Sequence, residues 1–278
     1  MKRVALSMWR RARGWWRPAV AIDLGTAWTR LADASARLRV DAPTVATERS
    51  ALRSGVIVDP EAAVAVLAPL LGQVRRGVGG GVRVLAGVPS DASPVERAAR
   101  EAALRASGAV AAALVPEPLA AAIGAGIDVG GPYAALVVDV GEGVTDCALV
   151  GEGRVLAAGA ARIGCADFRR AVAAERGVDL EAAERMLRVE GVAVIAPLAD
   201  AALAPVLALL AELSAHRACE VIETGITLTG GGAMIPGLGR RLTEKTAVET
   251  RTVARAHECV VRGVAAMLPA ADALGLWR

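Results

Sequence analysis

The sequence predicts an α/β fold in which buried strands alternate with tightly packed helices. The chain has 278 residues, of which 54% are apolar but only 3% aromatic. Its core must therefore be built from Ala, Val, Leu and Ile, which suit buried strands covered by helices. Short β-branched runs that end at glycine turns support this assignment. A chain of this length can form one large domain or two ordinary ones.

Charge and cysteine content narrow the classes of function. The chain carries 32 basic and 29 acidic residues, a net charge of +3. This balance does not favour a nucleic-acid-binding surface, so we predict no nucleic-acid partner. With two histidines and no C-x-x-C pair, neither a zinc site nor a disulfide framework is expected. The cysteines are predicted to be reduced and mostly buried: Cys147, Cys165, Cys219 and Cys259.

The most apolar stretch covers residues 192–213 and includes Pro197, Asp200 and Pro205. A charge and two prolines are more typical of a broken, core-facing helical segment than of a membrane span. The basic N-terminus is not followed by the apolar region and cleavage site of a signal peptide.

Residues 1–17 predict an amphipathic basic helix. At about 100° per residue, apolar and basic side chains fall on opposite faces, with Leu6 as the one clear apolar exception. Tryptophan favours the headgroup region and arginine is attracted to anionic lipid, so the segment is expected to bind a membrane surface and to end at Pro18. A disordered basic tail or a helix that caps the domain is the alternative. The expected membrane residues are Met8, Trp9, Arg10, Arg13, Trp15 and Trp16.

A strand–turn–strand pattern occurs twice, as AIDLGTAWT at 21–29 and VVDVGEGVT at 137–145. Second strands are predicted at 29–33 and 145–150. Each glycine turn can expose backbone N–H groups that bind an anion. An aspartate at the strand end can hold a hydrated Mg²⁺. Two such hairpins facing each other would clamp a polyphosphate and its metal, whereas a single one would be an ordinary β-turn.

A third glycine cluster lies in ITLTGGGAMIPGL at 226–238. A β-branched strand runs into three glycines and then into a helix. Glycines at such a place let the backbone approach a flat ligand, such as a purine and its ribose; a tight strand-to-helix turn is the alternative. The P-loop and the dinucleotide fingerprint are both missing from the sequence, which disfavours those two classes.

Taken in order, five segments resemble the actin, sugar-kinase and heat-shock-chaperone ATPase superfamily, and within it the MreB family. They are DLGTAWT, GVPSDASPVERAAREAALRASG, PEPLAAAIGAG, DVGEGVTD and ITLTGGGAMIPGL. The resemblance implies an actin-like (ribonuclease H-like) fold of two lobes, each a mixed sheet flanked by helices, with ATP in the cleft between them. The implied division is lobe I at 18–135 with a reduced subdomain IB, lobe II at 136–268 with subdomain IIB largely missing, and a C-terminal tail at 269–278.

The resemblance also implies roles for individual residues. Asp23 and Asp139 would hold Mg²⁺ through water. Glu117 would orient the water that attacks ATP, or would simply stabilise the start of a helix. Arg188 resembles a basic residue that contacts the nucleotide. The first phosphate loop would be Gly25, Thr26, Ala27 and Trp28, the second Gly141, Glu142, Gly143, Val144 and Thr145, and the adenosine motif Gly230, Gly231, Gly232, Ala233 and Met234.

The chain departs from the family pattern in four places. Trp28 stands where the family carries a small polar Asn, and Trp cannot reproduce the hydrogen bond of an amide. Glu142 replaces a glycine of the second loop, where a bare carboxylate would repel phosphate unless Mg²⁺ lies between them. Cys165 replaces another glycine beside the expected site. The chain is also short, which removes surface that carries part of the head-to-tail contact between protomers.

The resemblance implies a cytoplasmic cytoskeletal ATPase that binds Mg·ATP, forms filaments at the inner face of the cell membrane and acts with cell-wall morphogenesis proteins to set cell shape. Weak ATP hydrolysis would accompany filament dynamics. The alternative is a degenerate nucleotide-binding adaptor of the same fold, without polymerisation or turnover. Trp28, Glu142 and the missing subdomain favour the adaptor; Glu117, Asp23 and the triple glycine favour the ATPase. A small-molecule kinase has less support, because we see no inserted substrate-binding region.

Overall fold

The computed structural model describes residues 18–44, 50–76 and 81–277. The predicted N-terminal helix at 1–17 lies outside the described residues. The membrane prediction for Met8, Trp9, Arg10, Arg13, Trp15 and Trp16 therefore stays a prediction.

The first lobe is built on a five-stranded mixed sheet. A meander of three antiparallel strands continues into two parallel strands, in the order β3-β2-β1-β6-β7. The small hairpin β4-β5 follows β3, and the described residues of this half of the chain also form three helices. The elements are β1 (Ala19–Leu24), β2 (Trp28–Ala32), β3 (Leu38–Pro43), β4 (Leu52–Arg53), β5 (Val56–Ile57), α1 (Pro60–Arg76), β6 (Val82–Val88), α2 (Pro94–Ala106), β7 (Ala109–Pro116) and α3 (Glu117–Gly124).

The second lobe repeats this plan. Its sheet has the order β10-β9-β8-β11-β12, again three antiparallel strands followed by two parallel ones. The predicted architecture of two lobes with mixed sheets is thereby confirmed. The elements are β8 (Ala135–Val140), β9 (Thr145–Gly151), β10 (Arg154–Ala161), α4 (Cys165–Arg176), α5 (Leu180–Glu190), α6 (Ala196–Ala211), α7 (Ala215–Thr224), β11 (Ile226–Thr229), α8 (Leu238–Thr246), β12 (Thr250–Thr252) and α9 (Cys259–Met267).

Side-chain alternation along the central strands separates the packed core from the site. Ile22 of β1 and Val138 of β8 face the helices on the outer side of each sheet. Ala21 and Val137, one residue away, face a third core that both lobes share. Because successive side chains of a strand point to opposite faces, Asp23 lies on the inner face with Ala21. Asp139 lies with Val137 in the same way.

Two helices are exchanged between the lobes. α3 follows a strand of the first sheet but packs on the second sheet, and α9 follows the second sheet but packs on the first. They cross at Gly124 and Gly263. A Cβ at Gly124 would lie 1.8 Å from the carbonyl oxygen of Cys259, and one at Gly263 would lie 1.7 Å from that of Ala120. Only glycine fits at this glycine crossing, where the two backbones touch directly.

The small subdomains are reduced to short connections. In the described part of the first lobe, the hairpin β4-β5 is the only regular structure between β3 and α1. α5 and α6 are joined by the five-residue 3-10 turn Gly191–Ile195. The apolar stretch predicted to face the core forms that turn and α6, which buries Ala199, Leu203 and Val206 against the second sheet.

The helical run at 180–211 is long and apolar enough to cross a membrane when judged by length and composition alone. About a third of the residues in its most apolar 18-residue stretch are buried inside the protein. Among the cysteines, Cys147, Cys165 and Cys259 are buried and Cys219 is exposed.

Candidate functional site

A cleft of about 580 Å³ opens between the two lobes. Asp23 and Asp139 both line it, because β1 and β8 end there with these side chains on their inner faces. The two hairpins predicted from the sequence repeat therefore meet at one cavity.

The first loop forms a closed turn at the end of β1. The backbone N–H of Gly25 donates to the carbonyl of Trp28 at 3.0 Å. The hydroxyl of Thr26 accepts a hydrogen bond from the N–H of Gly55 at 3.1 Å, which ties the loop to the β4-β5 hairpin. Trp28 is 44% exposed and lines the cleft, so its bulk lies at the cleft mouth. Gly25, Thr26 and Ala27 line the same cavity.

The second loop touches the first lobe. Its turn is closed by the N–H of Gly141, which donates to the carbonyl of Val144 at 2.8 Å. A Cβ at Gly143 would lie 2.7 Å from Cα of Ser54 and 3.2 Å from the hydroxyl of Thr26. Gly141, Gly143 and Val144 line the cleft. Thr145 does not: it is buried, and its hydroxyl donates to the carbonyl of Ile163 at 2.9 Å.

Glu142 is not a bare charge beside the cleft. Its carboxylate forms an ion pair with Arg169 of α4, and Arg169 also lies 3.2 Å from Glu184 of α5. The arginine offsets the charge that the sequence suggested would repel phosphate. Cys165, the other substituted glycine, lines the cleft, and burial raises the pKa of its thiol to about 12, so the thiol is neutral.

Three aspartates concentrate negative charge in the cleft. Burial raises the pKa of Asp23 to about 6, of Asp139 to about 7 and of Asp146 to about 6. Hydrogen bonds oppose the rise in two of them. Thr229 donates to Asp139 at 2.9 Å, and the N–H of Ser90 donates to Asp146 at 2.8 Å. A buried group of carboxylates is suited to hold a divalent cation and its waters.

Glu117 begins α3 at the floor of the cleft. Burial raises its pKa well above the ordinary value, and the charge of Arg100 opposes this rise. Arg100 is 2% exposed and lies 3.9 Å from Glu117. Its guanidinium donates to the carbonyls of Leu24, Gly87 and Gly55 at 3.1, 3.0 and 2.8 Å. Arg100 thus joins three segments of the first lobe behind the carboxylate.

The triple-glycine motif follows β11 and brings backbone to the cleft. Gly230 has φ +83°, and a Cβ there would lie 2.4 Å from the carbonyl oxygen of Val140. Gly231 has nothing within 4 Å of such a Cβ and faces the cavity, as does Met234. Gly232 and Ala233 are buried behind them and are not cleft-lining residues. Instead of the predicted direct helix, a 3-10 turn at Gly231–Met234 comes first.

Arg188 lies at the rim of the cleft. Its side chain is 75% exposed and lies 2.8 Å from Glu184, one helical turn earlier in α5. The position agrees with the predicted nucleotide contact, although the contact itself stays a prediction.

An interlobe clasp, formed by Arg162, Asp91, Ser90 and Asp146, joins the lobes beside the two glycine turns. Arg162 lies after β10 and donates twice to the carboxylate of Asp91 at 2.9 Å, and once to the carbonyl of Ser54 at 2.6 Å. The hydroxyl of Ser90 reaches Asp146 at 2.5 Å. The sequence reasoning missed these residues, although Asp146 and Ser90 lie inside two of the motifs on which the family resemblance depends.

The reasoning also missed Arg30 and Asp41, which line the cleft. Alternation along β2 and β3 could have placed them on the face of Asp23, because they are cross-strand partners in the sheet register.

The fold and the cleft define a two-lobed protein of the actin-like (ribonuclease H-like) class. A model of the MreB/Mbl protein family matches residues 42–174 and 178–275. The chain therefore belongs to the MreB/Mbl family.

Comparison with known proteins gives the same family. The "Cell shape-determining protein MreB" of Escherichia coli (strain K12) is 31% identical over an alignment that covers 65% of this chain and 63% of that protein. The "Cell shape-determining protein Mbl" of Bacillus subtilis (strain 168) is 26% identical over 80% of this chain and 79% of its own length. The crystal structure of MreB5 of Spiroplasma citri bound to ADP matches with a TM-score of 0.84 and 20% identity, over 93% of this chain and 98% of that one.

Proposed function

We propose that this chain binds Mg·ATP in the interlobe cleft and acts as a cytoskeletal protein in cell-shape determination. One observation carries the proposal: two aspartate-ended strands and their glycine turns line a single cavity. The carboxylates fit a hydrated Mg²⁺, and the exposed glycine backbone fits phosphate. The names of the Escherichia coli and Bacillus subtilis relatives, and the ADP bound to the Spiroplasma citri protein, support the same reading.

In this proposal Asp23 and Asp139 hold Mg²⁺ through water, and the two glycine loops bind the phosphates. Gly231 and Met234 form the surface for the base and ribose. Glu117 orients the attacking water and, in the ionised form that the charge of Arg100 favours, takes up its proton. Hydrolysis is expected to be slow, coupled to assembly.

Calorimetry with purified protein tests the binding step. We expect Mg·ATP to bind with micromolar-scale affinity, and the absence of any binding heat would reject the proposal. A Glu117→Ala variant should bind ATP but release phosphate more slowly. A phosphate-release rate equal to that of the wild type would make Glu117 a structural residue.

We propose further that the protein assembles with itself on the cytoplasmic side of the cell membrane, near cell-wall morphogenesis proteins, and that residues 1–17 contact the lipid. The basic and tryptophan-rich composition of that segment supports lipid contact. Co-sedimentation with anionic liposomes tests this, because deletion of residues 1–17 should leave the protein in the supernatant. Pelleting in ATP and in ADP tests self-assembly.

The adaptor alternative rests on the reduced small subdomains and on Trp28 at the cleft mouth. The ion pair between Glu142 and Arg169 removes one argument for it, since the acidic side chain is already offset. Protein that binds Mg·ATP but neither pellets nor releases phosphate would favour the adaptor over the ATPase.

A further inference from the structure

A ladder of three charges crosses the first sheet at the cleft. Arg30 of β2 is the direct cross-strand partner of Asp23 on β1 and of Asp41 on β3. Because partners in register share a face, all three side chains lie on the inner side of the sheet, and all three line the cleft. We call Asp23, Arg30 and Asp41 the charge ladder.

The central cation of the ladder is loosely held. Nη1 of Arg30 lies 3.7 Å from Asp23, and Nε lies 3.2 Å from Asp41. Nε is buried and makes no hydrogen bond, and the side chain is only 12% exposed. A guanidinium carries five N–H donors. Arg30 therefore keeps donor capacity inside the cleft.

The other arginines that line the cleft are either engaged more fully or exposed at its rim. Arg100 donates to three backbone carbonyls. Arg169 is shared by two glutamates, and Arg188 points along its own helix to Glu184. The ring of Trp28 lies 6.0 Å from Cζ of Arg30, which places an aromatic face beside the cation. Among the arginines buried in the cleft, Arg30 has the donors that a ligand can take with least rearrangement.

We propose that Arg30 binds the phosphates of the nucleotide and supplies part of the positive charge that Mg²⁺ would otherwise supply alone. The inference rests on the proposed nucleotide binding. A polyphosphate brought to Asp23, Asp139 and Asp146 meets like charges, so a counter-cation is needed. A guanidinium matches phosphate geometry and keeps its charge at any ordinary pH. Nucleotide should therefore still bind when Mg²⁺ is removed.

The experiment measures ATP affinity by calorimetry, in Mg²⁺ and in EDTA, for matched variants. In wild type, removing Mg²⁺ should lower the affinity by no more than about tenfold. In Arg30→Leu the same removal should lower it by at least a further tenfold or so. Arg39→Leu removes the same charge from the same sheet at its ion pair with Asp33, and should behave as wild type.

Asp41→Asn gives a prediction of opposite sign. Asp41 is exposed at the outer end of the charge ladder, so this variant should fold. Loss of its charge releases Arg30 and should raise the affinity for ATP in EDTA by several-fold, on the order of a surface charge interaction. The affinity for Mg·ATP should change less. Should Arg30→Leu fail to fold by thermal unfolding, Arg30→Lys takes its place and should keep measurable binding in EDTA.

The outcomes separate the two ideas. If wild type binds nothing even with Mg²⁺, the proposed function and this inference fail together. If wild type binds Mg·ATP, but Arg30→Leu loses no more affinity than wild type on metal removal, the inference alone fails. It also fails if wild type binds only with Mg²⁺.

Discussion

Gly230 and Gly231 offer a test that separates the stability of the cleft from its binding surface. Gly230 has φ +83° and ψ 175°, a region open essentially to glycine alone, and an L-residue there costs about 1–3 kcal/mol. A Cβ would also lie 2.4 Å from the carbonyl oxygen of Val140 and 2.6 Å from a carboxylate oxygen of Asp139. Relieving such an overlap costs about 1–3 kcal/mol more.

Gly230→Ala should therefore reduce the free energy of unfolding by about 2–6 kcal/mol, a large share of the 5–15 kcal/mol typical of a folded protein. Gly231→Ala is the matched control, because nothing lies within 4 Å of its Cβ. Its stability should stay within about 0.5 kcal/mol of wild type. Its Cβ would point into open space at the cleft, so Mg·ATP affinity should fall by about tenfold, equivalent to about 1.4 kcal/mol.

Urea unfolding followed by circular dichroism, together with calorimetric titration of Mg·ATP, measures both quantities. The denaturation midpoints should be compared, since a two-lobed protein need not unfold in one step. A Gly230→Ala protein as stable as wild type would refute the steric argument. Unchanged affinity in Gly231→Ala would show that the nucleotide does not lie on the triple-glycine motif.

Three further predictions concern charges around the cleft. Burial raises the pKa of Asp139 from 3.8 to about 7, so the contribution of this group to the stability of the metal-free protein should be greatest below about pH 4 and be lost as the pH rises through 7. Asp139→Asn should therefore flatten the slope of the unfolding midpoint against pH between 4 and 7. An unchanged slope would contradict this. Arg162→Met should lower the free energy of unfolding by about 1 kcal/mol in low salt and by less in 1 M salt, because the ion pairs of Arg162 are partly exposed. Equal losses in both salts would count against an electrostatic role for the interlobe clasp. Glu142→Gly should raise Mg·ATP affinity, because it leaves Arg169 as a less compensated cation beside the second loop; a lower affinity would show that the glutamate itself contributes to binding.

The α/β class and the two glycine turns could be predicted because their signals are local. The residues of a strand that ends in Asp-x-Gly predict both which face of the strand is buried and where the turn begins. The second copy of the pattern then predicts a second strand end like the first. The order of strands in the two sheets repeats for the same reason, since each half of the chain starts with the same hairpin.

Contacts that join distant segments could not be predicted in this way. The partners of Arg162 lie in another lobe, on the loops that hold Ser54 and Asp91, and no spacing in the sequence indicates such a pairing. Thr145 shows a different error. It lies in the motif predicted to bind phosphate, but it is buried and its hydroxyl donates to the carbonyl of Ile163.

The crossing of α3 and α9 at glycines has a consequence for how the cleft could work. Because no side chain separates the two backbones, the contact is a fixed pivot and not a flexible hinge. Glu117 stands at the other end of α3, attached to one lobe through the chain and resting on the other through packing. A rotation of one lobe against the other about this contact would move Glu117 relative to Arg100. Opening of the cleft and the position of Glu117 would then change together.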